Sequence, residues 1–130
     1  QLPESVIGIG YITDRDEMAK LYSMSDVFVN ITLEDSLPTV NIEAQACGTP
    51  VITYESGGSP ETISEKTGIV VPKYDKEALL KAILKIKDRG KAIYEQKCLS
   101  HVEKNFVVED RYKEYVDLYK NIEERGGAHI

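Results

Sequence analysis

The sequence holds no tryptophan, two histidines and two cysteines among its 130 residues. Two thiols, Cys47 and Cys98, are too few for the disulfide framework of a small secreted domain. Together with the two histidines they stand at unrelated spacings, so no metal cage is expected. Basic residues are in the minority: 16 Lys and Arg face 22 Asp and Glu, giving a net charge of -6 and a pI near 5.0. That balance lacks the basic footprint of nucleic-acid binding or of a polybasic membrane anchor. No apolar run approaches the roughly 20 residues of a membrane span. Gln1-Leu2-Pro3-Glu4 does not read as the start of a signal peptide. A cytoplasmic, metal-free protein is the expectation.

With 42% hydrophobic and 29% charged residues, the composition suits one domain with a modest core. Short β-branched runs alternate with helical patterns and show no internal repeat, which predicts a Rossmann-like α/β fold, a parallel sheet with flanking helices. Strands are expected over 6–12, 27–31, 51–54 and 68–71. Asp14, with Glu17 three residues on, predicts a capped helix whose inward face carries Met18, Leu21 and Tyr22. A helix over 39–47 is closed by Gly48 and Pro50. Ser59 is expected to cap a short helix with Pro60 in its first turn. Asp75 caps a helix that Gly90 ends, a further helix covers 91–104, and a last one covers 109–125. The stripe of Tyr112, Tyr115, Val116, Tyr119 and Ile122 on that last helix predicts a packing surface.

The informative window runs from Asn30 to Val51: a strand, an acidic loop, then a helix of small residues with one acid near its start. Ligands of open parallel sheets bind beyond the carboxyl ends of the strands, where such loops lie. Amides at the start of the helix, around Thr39 to Asn41, carry partial positive charge and suit a phosphate. Glu43 stands among Ile42, Ala44, Ala46 and Cys47, in a helix otherwise made for burial. It has two readings: a carboxylate placed to accept both hydroxyls of a ribose, or a solvent-facing acid stabilised by the helix dipole. Glu34 and Asp35 have two as well, solvated loop acids or acceptors for a sugar hydroxyl beside a diphosphate.

Several segments in this order resemble the carboxy-terminal domain of retaining, family-4-type glycosyltransferases of the GT-B fold. They are Gly10-Tyr11-Ile12, the run from Leu21 to Val29, Glu43-Ala44-Gln45-Ala46-Cys47-Gly48-Thr49-Pro50-Val51-Ile52, Gly57-Gly58-Ser59-Pro60-Glu61 and Thr67-Gly68-Ile69-Val70-Val71. Each is weak alone, and their joint order over 6–86 is the signal. The family carries two acids separated by seven residues, a spacing met by Asp35 and Glu43. The resemblance therefore implies Asp35 and Glu43 as the catalytic pair, Glu43 holding the nucleotide ribose and Asp35 facing the donor sugar, with Glu34 its substitute if the loop shifts by one. It implies substrate contacts at Ser36, Leu37, Thr39 and Val40, and at Tyr11 and Ile12 beside the base. Where the family often has a Gly-aromatic-Gly stretch, this chain has Ser36-Leu37-Pro38, and Pro38 has no amide to donate.

By the same resemblance the chain is part of a donor-binding domain for a UDP- or GDP-sugar, requiring no cofactor. The whole enzyme would serve polysaccharide or glycolipid synthesis, in the cytoplasm or at the inner membrane face. The four expected strands fall short of the five or six of a doubly wound sheet. Two upstream strands, an Arg and Lys pair and an acceptor-binding domain are accordingly expected to be absent, leaving the chain inactive alone. Helix 109–125 resembles the terminal interdomain segment, and exposed sheet edges are expected to seek a homodimer partner. Competing assignments are a glycoside hydrolase using the two acids, a nucleotide-sugar epimerase or phosphorylase, and a non-catalytic interaction module.

Overall fold

A computed structural model describes residues 8, 12, 14–31, 39–106 and 110–126. Three parallel strands form one sheet in the order β1 (Phe28–Asn30), β2 (Val51–Tyr54), β3 (Gly68–Val71). The register pairs Phe28 with Val51 and Val51 with Gly68. The central strand β2 is buried along its whole length, as a strand covered by helices on both faces must be. Its side chains alternate. Val51 enters a core built from α1 (Arg15–Met24), α2 (Thr39–Ala46), α4 (Lys91–Asn105) and α5 (Asp110–Gly126), whereas Ile52 and Tyr54 enter a second core with Ala82 and Ile86 of α3 (Lys76–Arg89). The expected α/β fold is thus observed.

Local chemistry explains most boundaries. The Asp14 side chain caps α1 by accepting from the Asp16 amide at 3.1 Å, while Glu17 pairs with Lys20. Asp75 caps α3 through the Ala78 amide at 3.0 Å. Gly48, at φ 71°, turns the chain out of α2, and the Thr49 amide donates back to the Ala44 carbonyl at 3.0 Å. The stripe on α5 is packing surface, as expected: Tyr112, Tyr115, Val116 and Tyr119 are all buried, and the helix lies against α1 and α2.

Some boundaries differ from expectation. The strand over 27–31 shortens to three residues, Phe28–Asn30, and the helix over 39–47 ends at Ala46. Ser59 does not cap a helix. It is the first residue of a single 3-10 turn, Ser59–Thr62, with Gly58 at the cap position and no side-chain cap bond. The chain has already entered the turn at Ser59, and Gly58 at the cap position has no side chain with which to accept. Of the strand expected over 6–12, Gly8 and Ile12 belong to no regular element and the rest lies outside the described residues.

At Gly68 two strands of the sheet leave no room for a side chain. A Cβ built there would lie 2.0 Å from the Val51 carbonyl oxygen, and backbone cannot retreat without breaking the β2–β3 ladder. Gly68→Ala is expected to cost about 3 kcal/mol or more, at or above the top of the usual overpacking range. Urea denaturation measures it; a loss below about 1 kcal/mol would show that the strands part easily.

Candidate functional site

The loop over 32–38 lies outside the described residues, and with it Glu34, Asp35, Ser36 and Leu37; Tyr11 does too. Ile12 is described, half-buried just before the Asp14 cap. Thr39 and Val40 form the first turn of α2, Thr39 half-buried and Val40 exposed, and Glu43 follows one turn later. Four residues of helix put Glu43 about 6 Å along the axis from Thr39. Thr39, Val40 and Glu43 are thereby brought together on one short helix.

A buried polar cluster fixes where that helix begins. Asn41 is completely buried, and its side-chain amide makes three bonds. Asn30 Nδ2, at the carboxyl end of β1, donates to Asn41 Oδ1 at 2.9 Å. Asn41 Nδ2 donates to Thr53 Oγ1 of β2 at 3.3 Å and to Thr62 Oγ1 of the 3-10 turn at 3.2 Å. One turn on, Gln45 Nε2 donates to the Asn41 carbonyl at 2.9 Å and to the Thr62 carbonyl at 2.7 Å. His101 Nε2 meets that same carbonyl from α4 at 3.1 Å, and burial lowers the pKa of this imidazole, favouring its neutral form. The first turn of α2 is therefore clamped to the carboxyl ends of two strands, the edge at which parallel sheets bind ligands.

Glu43 points to the opposite side of the helix. Its Oε1 accepts from the Tyr22 phenol of α1 at 3.2 Å, and the carboxylate is half-buried rather than open to solvent. Burial, then the neighbouring Glu43 carboxylate, pushes the Tyr22 phenol well above its ordinary pKa, so it stays a donor. Cys47, one turn further on, has its thiol pushed up to about 12, chiefly by burial, which makes it a core group and not a nucleophile. Among the described residues no group of three His, Cys, Asp or Glu side chains could hold a metal ion. No described helix is long and apolar enough to cross a membrane.

Sequence reasoning missed Asn41, Gln45 and Thr62 as the framework of the helix tip. The signal was a pair of amides, Asn41 and Gln45, four apart in a helix whose other residues, Glu43 aside, are small or apolar. Polar side chains at that spacing share a face, and two on a buried face need partners.

A parallel sheet with a helix tip fixed at its carboxyl edge is a Rossmann-like half-domain. The family of glycosyl transferases group 1 matches residues 1–98, and the chain belongs to it. Over 88 residues it is 33% identical to the D-inositol 3-phosphate glycosyltransferase of Mycobacteroides abscessus, covering 67% of this chain and 20% of that protein. It is 44% identical over 54 residues to a GDP-mannose-dependent monoacylated alpha-(1-6)-phosphatidylinositol monomannoside mannosyltransferase of Corynebacterium glutamicum, covering 42% of this chain and 14% of that one. The D-inositol 3-phosphate glycosyltransferase of Streptomyces bingchenggensis shares 46% identity over 59 residues, 45% of this chain and 13% of its own. The chain thus spans a fifth or less of these relatives' lengths.

Removing the Asn41 amide leaves several buried polar groups short of a partner, each worth about 1–3 kcal/mol. Asn41→Ala is expected to destabilise the fold by about 3 kcal/mol in urea denaturation, while Val40→Ala on the exposed side stays within about 0.5 kcal/mol. Equal, small losses would show that the cluster does not hold the helix.

Proposed function

We propose that this chain is the donor-binding part of a retaining glycosyltransferase whose substrate is a UDP- or GDP-sugar. The observation that carries the proposal is the α2 tip, fixed at the carboxyl edge of the sheet with Glu43 one turn behind it. Membership of the glycosyl transferases group 1 family supports it, as does the nucleotide sugar in the name of the Corynebacterium glutamicum relative.

In this scheme the amides of Thr39 and Val40 face the diphosphate. They add fixed partial charge where negative charge builds as the glycosidic bond to the leaving diphosphate breaks. Glu43 accepts hydrogen bonds from the ribose hydroxyls. Asp35, or Glu34 in its place, faces the donor sugar, Ser36 and Leu37 border the diphosphate, and Tyr11 and Ile12 border the base. No metal or cofactor is assigned a role. The acceptor, a sugar or a lipid-linked sugar, would be held by a further domain of a longer protein working at the cytoplasmic membrane face. Helix α5 would then lie at the junction of the two domains, and copies of the chain could associate through the sheet edge. The 130 residues alone are expected to bind nucleotide without transferring sugar.

Calorimetric titration of the chain with UDP and with GDP provides the test. One of the two is expected to saturate, and Glu43→Ala to weaken that binding by about tenfold, or 1.4 kcal/mol. Absence of saturation by both nucleotides would favour a non-catalytic module, and unchanged affinity in Glu43→Ala would remove the ribose role.

A further inference from the structure

We infer that Tyr22 is a positioning residue for Glu43, fixing its carboxylate before the nucleotide arrives; this rests on the ribose role proposed for Glu43. Tyr22 lies in the last turns of α1, 3% exposed, and its ring is held on two sides. Phe28 of β1 packs edge-on with centroids 5.5 Å apart, and Tyr115 of α5 does so at 6.0 Å. The Tyr22 carbonyl accepts from the Ser25 amide at 3.2 Å and from the Thr49 hydroxyl, which ties the turn to the entry of β2. Ring and backbone are thus held from α5, β1 and the entry of β2, which sets the direction of the phenol. It points at Glu43 Oε1.

A glutamate side chain on a helix loses rotamer freedom when it is ordered. A contact that orders it in the free protein spares the ligand that loss, which is the general route by which preorganisation raises affinity. The Tyr22 phenol takes one acceptor position on Oε1, and a carboxylate offers about four when ionised. The phenol cannot compete as a base, because burial and the adjacent carboxylate keep it protonated. The arrangement also makes α5 part of the site without touching the ligand, through Tyr115 against the Tyr22 ring.

The alternative is that Tyr22 is only a core ring, in which case its hydroxyl is dispensable. Tyr22→Phe separates the two, because it keeps the ring and both aromatic contacts and removes one O–H. The chain and this variant are titrated with UDP, GDP and their 2′,3′-dideoxy counterparts, alongside a urea midpoint to establish folding. The wild type is expected to prefer the ribonucleotide of the base it binds. Tyr22→Phe is expected to lose about tenfold on that ribonucleotide and little on the dideoxy form, so that the preference collapses. A Tyr22→Phe protein that keeps the ribose preference, or loses equally on both forms, overturns the positioning role and leaves that of Glu43 standing. A wild type that does not discriminate the two forms overturns both. A second measurement needs no mutant: with 3-fluorotyrosine incorporated, the Tyr22 19F resonance is expected to move with the ribonucleotide and not with the dideoxy form, and a resonance that ignores both contradicts the proposal.

Discussion

The structure depends on the three hydrogen bonds of the Asn41 side chain. In a parallel sheet the loops at the carboxyl edge can lead the following helix in many directions, and a short helix such as α2 has little surface with which to choose among them. Asn41 removes the choice by joining the ends of β1 and β2 and the 3-10 turn to the first turn of α2. Such a bond is worth only about 1 kcal/mol net when made, but breaking one inside the core costs more, because the abandoned partner has no water to turn to. That asymmetry makes the position of the helix tip nearly all-or-none.

Two kinds of force meet on α2. On one side amide and hydroxyl groups of Asn41, Gln45, Thr53 and Thr62 fix it by direction. On the other, Ala44, Cys47 and the aromatic rings of Tyr22, Tyr115 and Tyr119 fix it by volume within one apolar core. Lys91 adds a tie at the start of α4, donating to the Ser23 carbonyl at the end of α1. Burial lowers the pKa of this amine while Glu95 and Asp26 raise it, so neighbouring acids offset part of the cost of enclosing it. Arg15 of α1 pairs with Glu114 of α5, and Tyr119 of α5 donates to Glu95 of α4. The carboxyl-terminal helix is therefore part of the wall behind Glu43 rather than an appendage.

The parallel sheet, the boundaries set by Asp14, Asp75, Gly48 and Gly90, and the buried face of α5 were all legible in the sequence. Each is local: a cap is recognised within four residues, and a stripe within three helical turns. Burial of the Glu43 helix was legible from its small residues. What it is buried against was not, because the partners Tyr22 and Tyr115 lie 21 residues before and 72 after it in the chain. The same limit hid the Asn41 cluster, which gathers residues from β1, α2, β2 and the 3-10 turn. Ser59 was misread as a cap because Ser-Pro starts long helices and single 3-10 turns alike.

The central claim is that the first turn of α2 receives the diphosphate of a nucleotide. An amide-resolved NMR titration of the 15N-labelled chain with UDP and GDP tests this most directly. The largest shifts are expected at the Thr39 and Val40 amides, with smaller ones at Glu43. Shifts centred instead on the lysine-lined groove of Lys66, Lys97 and Lys104, with Thr39 and Val40 unmoved, would contradict it.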